Sequence, residues 1–335
     1  MTTPTPTTLV LGSNSFSGQD FVDLLLAETD HRVIGVSRSP EKSSVFLSYL
    51  DRPEAKDRFV FHQLDLNDDF DALIELIQRE KPRYIVNFAA QSEVAPSWLH
   101  PEQWAMTNVV ALAKLGNVLR QCDWLERYVH ISSPEAYGSC EGVVKEGHPD
   151  NPSTPYAASK SAGDMFLSTY VKQYGFPCVT IRATNVYGPC QQLFKIIPRS
   201  AIYLKLGKTI ELHGGGHAVK SYIHIRDVSR GELSAMLDGT PGEMYHLSPT
   251  EGVAVCEVVK TICEAAGRSF EQATKVVDER PGQDKAYVID SNKAGAQFNW
   301  HPKVSLQHGL AEVFDWVDRD WDRIQHLPLA YEHKA

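Results

Sequence analysis

The sequence lacks a hydrophobic run long enough to cross a membrane, and it has no excess of positive charge. No apolar segment approaches the ~18 residues of a membrane-spanning helix, and residues 1–8 lack the charged and apolar regions of a signal peptide. The formal net charge of −9 argues against nucleic acid as the main partner. We therefore expect a soluble, cytoplasmic protein that binds neither membranes nor nucleic acid.

Cysteine and histidine also lack the spacing that metal sites require. The six cysteines include no Cys-x-x-Cys pair, and their scatter is typical of reduced thiols. Among the 13 histidines, His213 and His217 come nearest to a cluster, but the three glycines between them favour a turn. The sequence therefore predicts no metal site.

Strand-like segments alternate with segments of helical length. Six such strands are predicted, at 8–12, 31–36, 59–66, 83–90, 127–132 and 178–182. Alternation of this kind predicts a parallel sheet with helices on both faces, and a ligand at the carboxyl ends of the strands. We therefore predict an α/β fold with a Rossmann-type doubly wound parallel sheet.

The first predicted strand runs into a glycine-containing turn and the start of a helix. Gly12 and Gly18 fit a Gly-x-x-Gly-x-x-Gly dinucleotide loop, in which Ser15 replaces the middle glycine. A serine side chain keeps the backbone further from a pyrophosphate than glycine does, but its hydroxyl can form a hydrogen bond with the phosphate. The residues that we expect to contact a dinucleotide here are Gly12, Asn14, Ser15, Phe16, Ser17 and Gly18.

The ends of the next strands supply the remaining cofactor candidates. The second strand ends at Ser37-Arg38-Ser39, with no acid before Glu41; an arginine there can hold a 2′-phosphate, so NADP is favoured over NAD. Arg38 as a solvated loop charge is the alternative. The other candidates at the strand ends are Asp65, which is placed to meet the adenine, with Leu66, Ala89, Ala90 and Gln91.

Tyr156 and Lys160 are spaced one helical turn apart. Residues i and i+4 share a helix face, so the Lys160 ammonium can lie beside the Tyr156 phenol and, with an oxidised nicotinamide, lower its pKa. The pair is then a proton acceptor for alcohol oxidation, and Lys160 also contacts the cofactor. Two surface residues of an amphipathic helix are the alternative.

Together these motifs resemble the extended short-chain dehydrogenases/reductases, and among them the nucleotide-sugar 4,6-dehydratases. The similarity spans residues 8–320. Its motifs, beyond the glycine loop and the Tyr156–Lys160 pair, are residues 87–92, 107–108, 132–138, 182–189 and 280–284. The segment around Gln91 is most similar to GDP-mannose dehydratases, and residues 280–284 to dTDP-glucose dehydratases.

The resemblance implies conversion of a nucleotide-diphosphate hexose to its 4-keto-6-deoxy product. Tyr156 would take the C4 hydroxyl proton, Ser133 would bond to O4, and Glu135 would remove the C5 proton before water leaves. Hydride would return to C6, so a tightly bound NADP or NAD would be recycled. Pro134 replaces the aspartate that protonates the leaving hydroxyl in the dTDP-glucose type; in the GDP-mannose type the glutamate can serve both steps.

The resemblance also implies a smaller, interleaved C-terminal α/β lobe. The dinucleotide domain would occupy 8–185, with 220–249 returning to it, and the substrate lobe would occupy 186–330. Positions similar to substrate contacts are Ser92, Asn185, Lys195, Lys220 and Arg280; solvated or locally paired side chains are the alternative for the charged ones.

Members of the superfamily commonly dimerise through a four-helix bundle. Here it would use the Tyr156 helix and a helix at 101–121, whose apolar residues are Val109, Val110, Leu112, Leu115 and Leu119. A homodimer is therefore expected, with burial inside one chain as the alternative. Two other functions also fit: an epimerase, reductase or decarboxylase of the same superfamily, and a non-catalytic dinucleotide-binding protein.

Overall fold

The computed structural model describes residues 5–278 and 288–334. Its strands are β1 (Thr7–Leu11), β2 (Arg32–Ser37), β3 (Phe59–Gln63), β4 (Tyr84–Asn87), β5 (Arg127–Ile131), β6 (Val143–Val144), β7 (Cys178–Ala183), β8 (Asn185–Tyr187), β9 (Ile210–His213), β10 (Val219–Lys220), β11 (Tyr222–His224), β12 (Met244–Leu247), β13 (Val253–Ala254), β14 (Thr274–Val277) and β15 (Val288–Ile289).

The helices are α1 (Phe16–Glu28), α2 (Ala55–Arg58), α3 (Phe70–Glu80), α4 (Val94–Ser97), α5 (Pro101–Ala105), α6 (Leu112–Leu119), α7 (Pro155–Tyr174), α8 (Ile196–Lys205), α9 (Ile225–Asp238), α10 (Val255–Ala265), α11 (Phe270–Ala273), α12 (Asn292–Phe298), α13 (Leu306–Arg319) and α14 (Trp321–Ile324). A π-helical segment, Met106–Ala111, joins α5 to α6. Short 3₁₀ turns lie at Ser48–Asp51, Pro134–Tyr137 and Gly214–Gly216.

A seven-stranded sheet forms the centre of the molecule. Its strand order is β12-β7-β5-β4-β1-β2-β3, and every pairing in it is parallel. This order reverses at β1, where the chain passes from one half of the sheet to the other, and a ligand crevice is expected at such a point. The predicted doubly wound parallel sheet is confirmed.

Two predicted strands end earlier than expected. β4 stops at Asn87 instead of residue 90, because the Asn87 side chain accepts a hydrogen bond from the Ala89 N–H (3.0 Å) and turns the chain out of the sheet. β3 likewise stops at Gln63, and residues 64–67 then run along the end of the sheet. Both early exits bring backbone to the carboxyl edge of the sheet, where the ligand crevice lies.

The sheet is covered on both faces. One apolar core joins it to α1 and α9 through residues such as Phe21, Val228 and Met236. The other joins it to α3 and α6 through Leu73 and Leu115. A parallel sheet buried on both faces matches the apolar strands that the sequence contains.

The C-terminal half of the chain contributes a third core. Buried residues of α8, α10 and α13, including Ile202, Val258 and Trp316, pack together beside the two-stranded sheet of β9 and β14. Within residues 5–278 and 288–334, no helix has both the length and the apolar character needed to cross a membrane.

Candidate active site

The turn between β1 and α1 requires glycine at two positions. Gly12 has φ +83°, and a Cβ there would lie 2.8 Å from the Ala89 nitrogen. A Cβ on Gly18 would lie 2.2 Å from the Gly12 carbonyl oxygen. Ser15, in the middle place, accepts a hydrogen bond from the Gly18 N–H (3.0 Å) and caps α1. The serine thus stabilises the helix start to which a pyrophosphate would bind.

A cavity of about 300 Å³ opens at this turn, along the ends of β1, β2 and β4. The predicted cofactor residues that line it are Gly12, Asn14, Ser15, Arg38, Asp65, Leu66, Ala89, Ala90 and Gln91. Ser92, predicted for substrate, also lines it. Phe16, Ser17 and Gly18 form the first turn of α1 and are not among the lining residues. Close glycine packing at a helix start, beside a partly apolar cavity, fits a dinucleotide.

The chain segment 331–334 closes one side of this dinucleotide cavity. The Lys334 carbonyl accepts hydrogen bonds from Gln91 Nε2 (3.0 Å) and Arg38 Nη2 (3.3 Å). The His333 ring stacks on Trp104, with centroids 5.5 Å apart. This wall is not predictable from the sequence, since no local pattern indicates which part of the sheet edge residues 331–334 reach.

Ser133 and Glu135 lie in the turn that follows β5. Ser133 is buried, and its Oγ accepts a hydrogen bond from the Glu135 N–H (3.2 Å). Pro134 occupies the first position of the Pro134–Tyr137 turn, where a missing N–H is tolerated. The turn ends at Gly138 (φ +67°), where a Cβ would lie 2.1 Å from the Asn151 carbonyl oxygen. Pro134 and Gly138 therefore restrict the backbone conformation on both sides of Glu135.

Lys160 and Tyr156 both lie in the first turns of α7, as the spacing predicts. Thr154 caps this helix by accepting a hydrogen bond from the Ala157 N–H (3.1 Å). Lys160 is buried, and its Nζ donates to the Ile131 carbonyl at the end of β5 (2.7 Å). Burial lowers the pKa of Lys160 to about 8, against the opposing charge of Asp164.

The lowering of the Tyr156 pKa is predicted for the site with an oxidised nicotinamide bound, whereas the chain by itself has the opposite shift. Burial raises the pKa of Tyr156 above its ordinary value, and the Glu135 carboxylate raises it further. A side-chain hydrogen bond with Ser133 opposes this shift. Ser133 and Glu135 therefore both act on the Tyr156 phenol, and lowering the pKa of that phenol requires added positive charge.

A buried ion network lies behind Lys160. Arg182 pairs with Asp150 through both nitrogens (2.8 and 3.0 Å) and with Asp164 through Nη2 (2.6 Å). Although burial alone would raise it, hydrogen bonds and the Arg182 charge hold the pKa of Asp164 at about 2. Because Asp164 follows Lys160 by one helical turn, it keeps a negative charge beside the buried ammonium.

A second cavity, of about 300 Å³, lies between β8, α8 and β10. Three of the predicted substrate residues line it, namely Asn185, Lys195 and Lys220. Arg199, which no sequence pattern indicates, and His213, predicted only as part of a turn, line it as well. We call it the cationic cavity. Arg280, predicted for the same role, lies outside the described residues. Within the described ranges, no group of three or more potential metal ligands is assembled.

Proteins of known family share sequence similarity with this chain. A family model described as GDP-mannose 4,6 dehydratase matches residues 9–313. The chain belongs to this family. The dTDP-glucose 4,6-dehydratase of Escherichia coli is 27% identical, over 93% of this chain and 94% of that enzyme. A trifunctional UDP-glucose 4,6-dehydratase of Arabidopsis thaliana is also 27% identical over 93% of this chain, which spans 47% of that longer enzyme.

Solved structures of both dehydratases and epimerases share the fold. A dTDP-glucose 4,6-dehydratase from Streptomyces venezuelae, solved with NAD, has a TM-score of 0.86 and 30% identity, covering 94% of this chain and 98% of that one. The UDP-glucose 4-epimerase of Thermotoga maritima has a TM-score of 0.85 and 25% identity, covering 94% and 99%. Overall similarity thus identifies the family, whereas the reaction is determined by individual residues of the site.

Proposed function

We propose that this protein is a nucleotide-sugar 4,6-dehydratase, which converts a nucleotide-diphosphate hexose to the 4-keto-6-deoxy sugar with loss of water. The observation that carries this proposal is that Ser133 forms a hydrogen bond with the Tyr156 phenol and that the Glu135 carboxylate acts on the same phenol. A phenol and a lysine serve any alcohol oxidation, but a carboxylate beside them adds a base for a second proton. Elimination of water needs that second base.

Each residue has one part in the proposed reaction. Bound in the dinucleotide cavity, the nicotinamide cofactor supplies a reversible two-electron acceptor for the sugar. Ser133 orients the C4 hydroxyl toward Tyr156, which takes its proton. Lys160 holds positive charge beside the phenol, and Glu135 removes the C5 proton that a 4-ketone makes acidic. Ser133, Glu135, Tyr156 and Lys160 are thus the proposed catalytic residues.

The cationic cavity is the proposed site for the substrate diphosphate. Lys195, Arg199 and Lys220 line it together with Glu93 and Glu211, so its lining is net positive within a chain that is acidic as a whole. Asn185 stands at its edge, where its side chain donates to the Ser221 carbonyl (3.4 Å). Because the relatives act on dTDP-glucose or UDP-glucose, the proposed substrate class is a nucleoside diphosphate hexose.

We propose NADP as the preferred cofactor, with NAD as the alternative. Arg38, Lys42 and Lys334 all line the dinucleotide cavity near the end of β2. The Ser37 hydroxyl accepts a hydrogen bond from the Asn14 N–H (2.9 Å), in the place where an acid would bind the ribose of NAD. The Streptomyces venezuelae neighbour was solved with NAD, so direct titration of both dinucleotides into wild type and Arg38→Ala is the test.

A homodimer through α7 and the π-helical segment before α6 is also proposed. Leu112, Leu115 and Leu119 are buried within the chain, as the alternative interpretation required. Yet Val110, Met165 and Phe166 keep 44%, 59% and 44% of their surface exposed. Exposed apolar residues on two neighbouring helices are typical of a subunit interface.

The reaction is tested by incubating the protein with dinucleotide and with GDP-, dTDP-, CDP- and UDP-hexoses, then following the product by mass. Loss of one water is the expected result, and Tyr156→Phe is expected to lower kcat by about 10²–10⁴-fold. An unchanged mass with inverted stereochemistry would indicate an epimerase. Retained dehydration by Glu135→Gln would refute the assignment of the base.

A further inference from the structure

Glu93 lies where the two cavities meet. In the described part of the chain, Glu93 and Phe194 are the residues that line both the dinucleotide cavity and the cationic cavity. Glu93 directly precedes α4, whose Ser97 Oγ accepts a hydrogen bond from the Tyr156 N–H (3.2 Å). The single turn of α4 therefore lies between Glu93 and the contact with Tyr156, the proposed proton acceptor.

Glu93 also acts electrically on Tyr156. After burial and Glu135, the charge of Glu93 is a further cause that raises the pKa of the phenol. Two carboxylates thus reach one phenol, Glu135 from the turn after β5 and Glu93 from the segment after β4. A pair of carboxylates in one site can divide the roles of base and acid when their surroundings differ.

Under the proposed function, an anionic substrate would change the surroundings of Glu93. Its Oε1 is 2.7 Å from Lys195 Nζ, and the two side chains are 19% and 37% exposed. Lys195 lines the cavity proposed for the substrate diphosphate, so the diphosphate competes with Glu93 for the same ammonium. A carboxylate that loses part of its cation and gains an anionic neighbour binds a proton more tightly.

We propose that Glu93 is the general acid that protonates the departing C6 hydroxyl, an inference that rests on the proposed dehydratase function. In the 4-keto sugar, Glu135 takes the C5 proton and the C5–H electron pair forms the C5=C6 double bond. The C6–O bond breaks with its electrons on oxygen, which takes the Glu93 proton and leaves as water. Pro134, beside Glu135, has no proton to give.

The proton balance of the cycle also favours this assignment. Glu135 takes the C5 proton and returns it to C5 when the product forms. Tyr156 has gained the C4 hydroxyl proton, and Glu93 has given one to water. Transfer of one proton from Tyr156 to Glu93 therefore resets both groups, and the two already interact electrostatically.

The test compares Glu93→Gln with wild type on the nucleotide hexose that the panel identifies and on its 6-deoxy-6-fluoro analogue. Fluoride leaves without a proton, so the analogue does not need the acid. We expect Glu93→Gln to lower kcat on the hexose by about 10²-fold or more, and on the analogue by less than about tenfold. Glu102→Gln, an exposed glutamate in α5 (70% exposed), is the matched control and should act like wild type.

A second readout does not depend on turnover. Calorimetric titration with the corresponding nucleoside diphosphate, in buffers of different ionisation enthalpy, measures protons taken up on binding. Wild type should take up more protons than Glu93→Gln. Equal uptake would refute the inference, as would an equal loss of kcat on hexose and analogue, which would make Glu93 a positioning residue for Lys195.

The inference and the proposed function fail in different ways. If wild type dehydrates no member of the panel, the dehydratase assignment fails and the role of Glu93 fails with it. If wild type dehydrates a hexose and Glu93→Gln does so at the same rate, the role of Glu93 alone fails.

Discussion

Lys160 is expected to cost the protein stability in exchange for function. Its ordinary pKa is 10.5 and burial lowers it to about 8, so the folded protein holds the ammonium less readily than the unfolded chain does. At about 1.4 kcal/mol per tenfold change in proton affinity, this difference corresponds to about 3 kcal/mol at neutral pH. Lys160→Met removes that cost but leaves the Ile131 carbonyl without its donor, a loss of about 1 kcal/mol. The variant should therefore be inactive yet more stable by about 2 kcal/mol.

The pH dependence separates this effect from a change in packing. Below pH 8 the lysine is charged in both states, and the full cost is present. Between pH 8 and 10.5 the folded state loses the proton while the unfolded chain keeps it, so wild-type stability rises with pH. The advantage of Lys160→Met should therefore shrink steadily from pH 8 and be nearly absent at pH 10.

The assay is urea denaturation at several pH values, after removal of bound dinucleotide, since ligand adds its own stabilisation. Lys172→Met, the same substitution at an exposed site of α7, is the control and should change stability by less than about 0.5 kcal/mol at every pH. A Lys160→Met protein that is less stable than wild type at pH 7 would refute the reasoning. So would an advantage that is unchanged at pH 10.

Three further predictions concern the ion network, the glycine turn and the subunit interface. Asp164→Asn should lower the free energy of unfolding by about 2 kcal/mol at neutral pH, because the pKa of Asp164 is held at about 2 against an ordinary 3.8. In acid denaturation this deficit should shrink as the pH falls from about 4 toward 2, and a constant deficit would contradict it. Gly18→Ala places a methyl group against the Gly12 carbonyl and should weaken dinucleotide binding by roughly tenfold or more, as measured by titration calorimetry. Unchanged affinity would refute the assignment of the turn between β1 and α1 as the dinucleotide site. Phe166→Glu should convert a dimer to a monomer in analytical ultracentrifugation, whereas a wild-type protein that is already monomeric would refute the interface.

The parts of the molecule that sequence could predict are those set by local pattern. The spacing of Tyr156 and Lys160, the glycines at 12 and 18, and the strand–helix alternation each depend on residues within a few positions of one another. The return of residues 220–249 to the first domain is predicted only through the family resemblance. In the structure β12, within that range, pairs with β7.

The features that sequence could not predict depend on distant contacts. The Glu93–Lys195 pair joins residues that are 102 positions apart, and the Gln91–Lys334 contact joins residues that are 243 apart. No periodicity or motif encodes such pairings. The raised pKa of Tyr156 in the chain alone also lies beyond a sequence pattern, because the spacing of Tyr156 and Lys160 does not show the burial and the carboxylates that raise it.

Pro134 has both a local role in its turn and a consequence for distant parts of the site. At the first position of its turn, proline has the φ that the turn needs and lacks only an N–H that has no partner there. It therefore holds Ser133 and Glu135 in place at little cost, on a turn that Gly138 closes against Asn151. The same residue cannot donate a proton. A site that orients its base in this way has no proton donor at residue 134, and Glu93 supplies a second carboxyl group that lines both cavities and interacts with Tyr156.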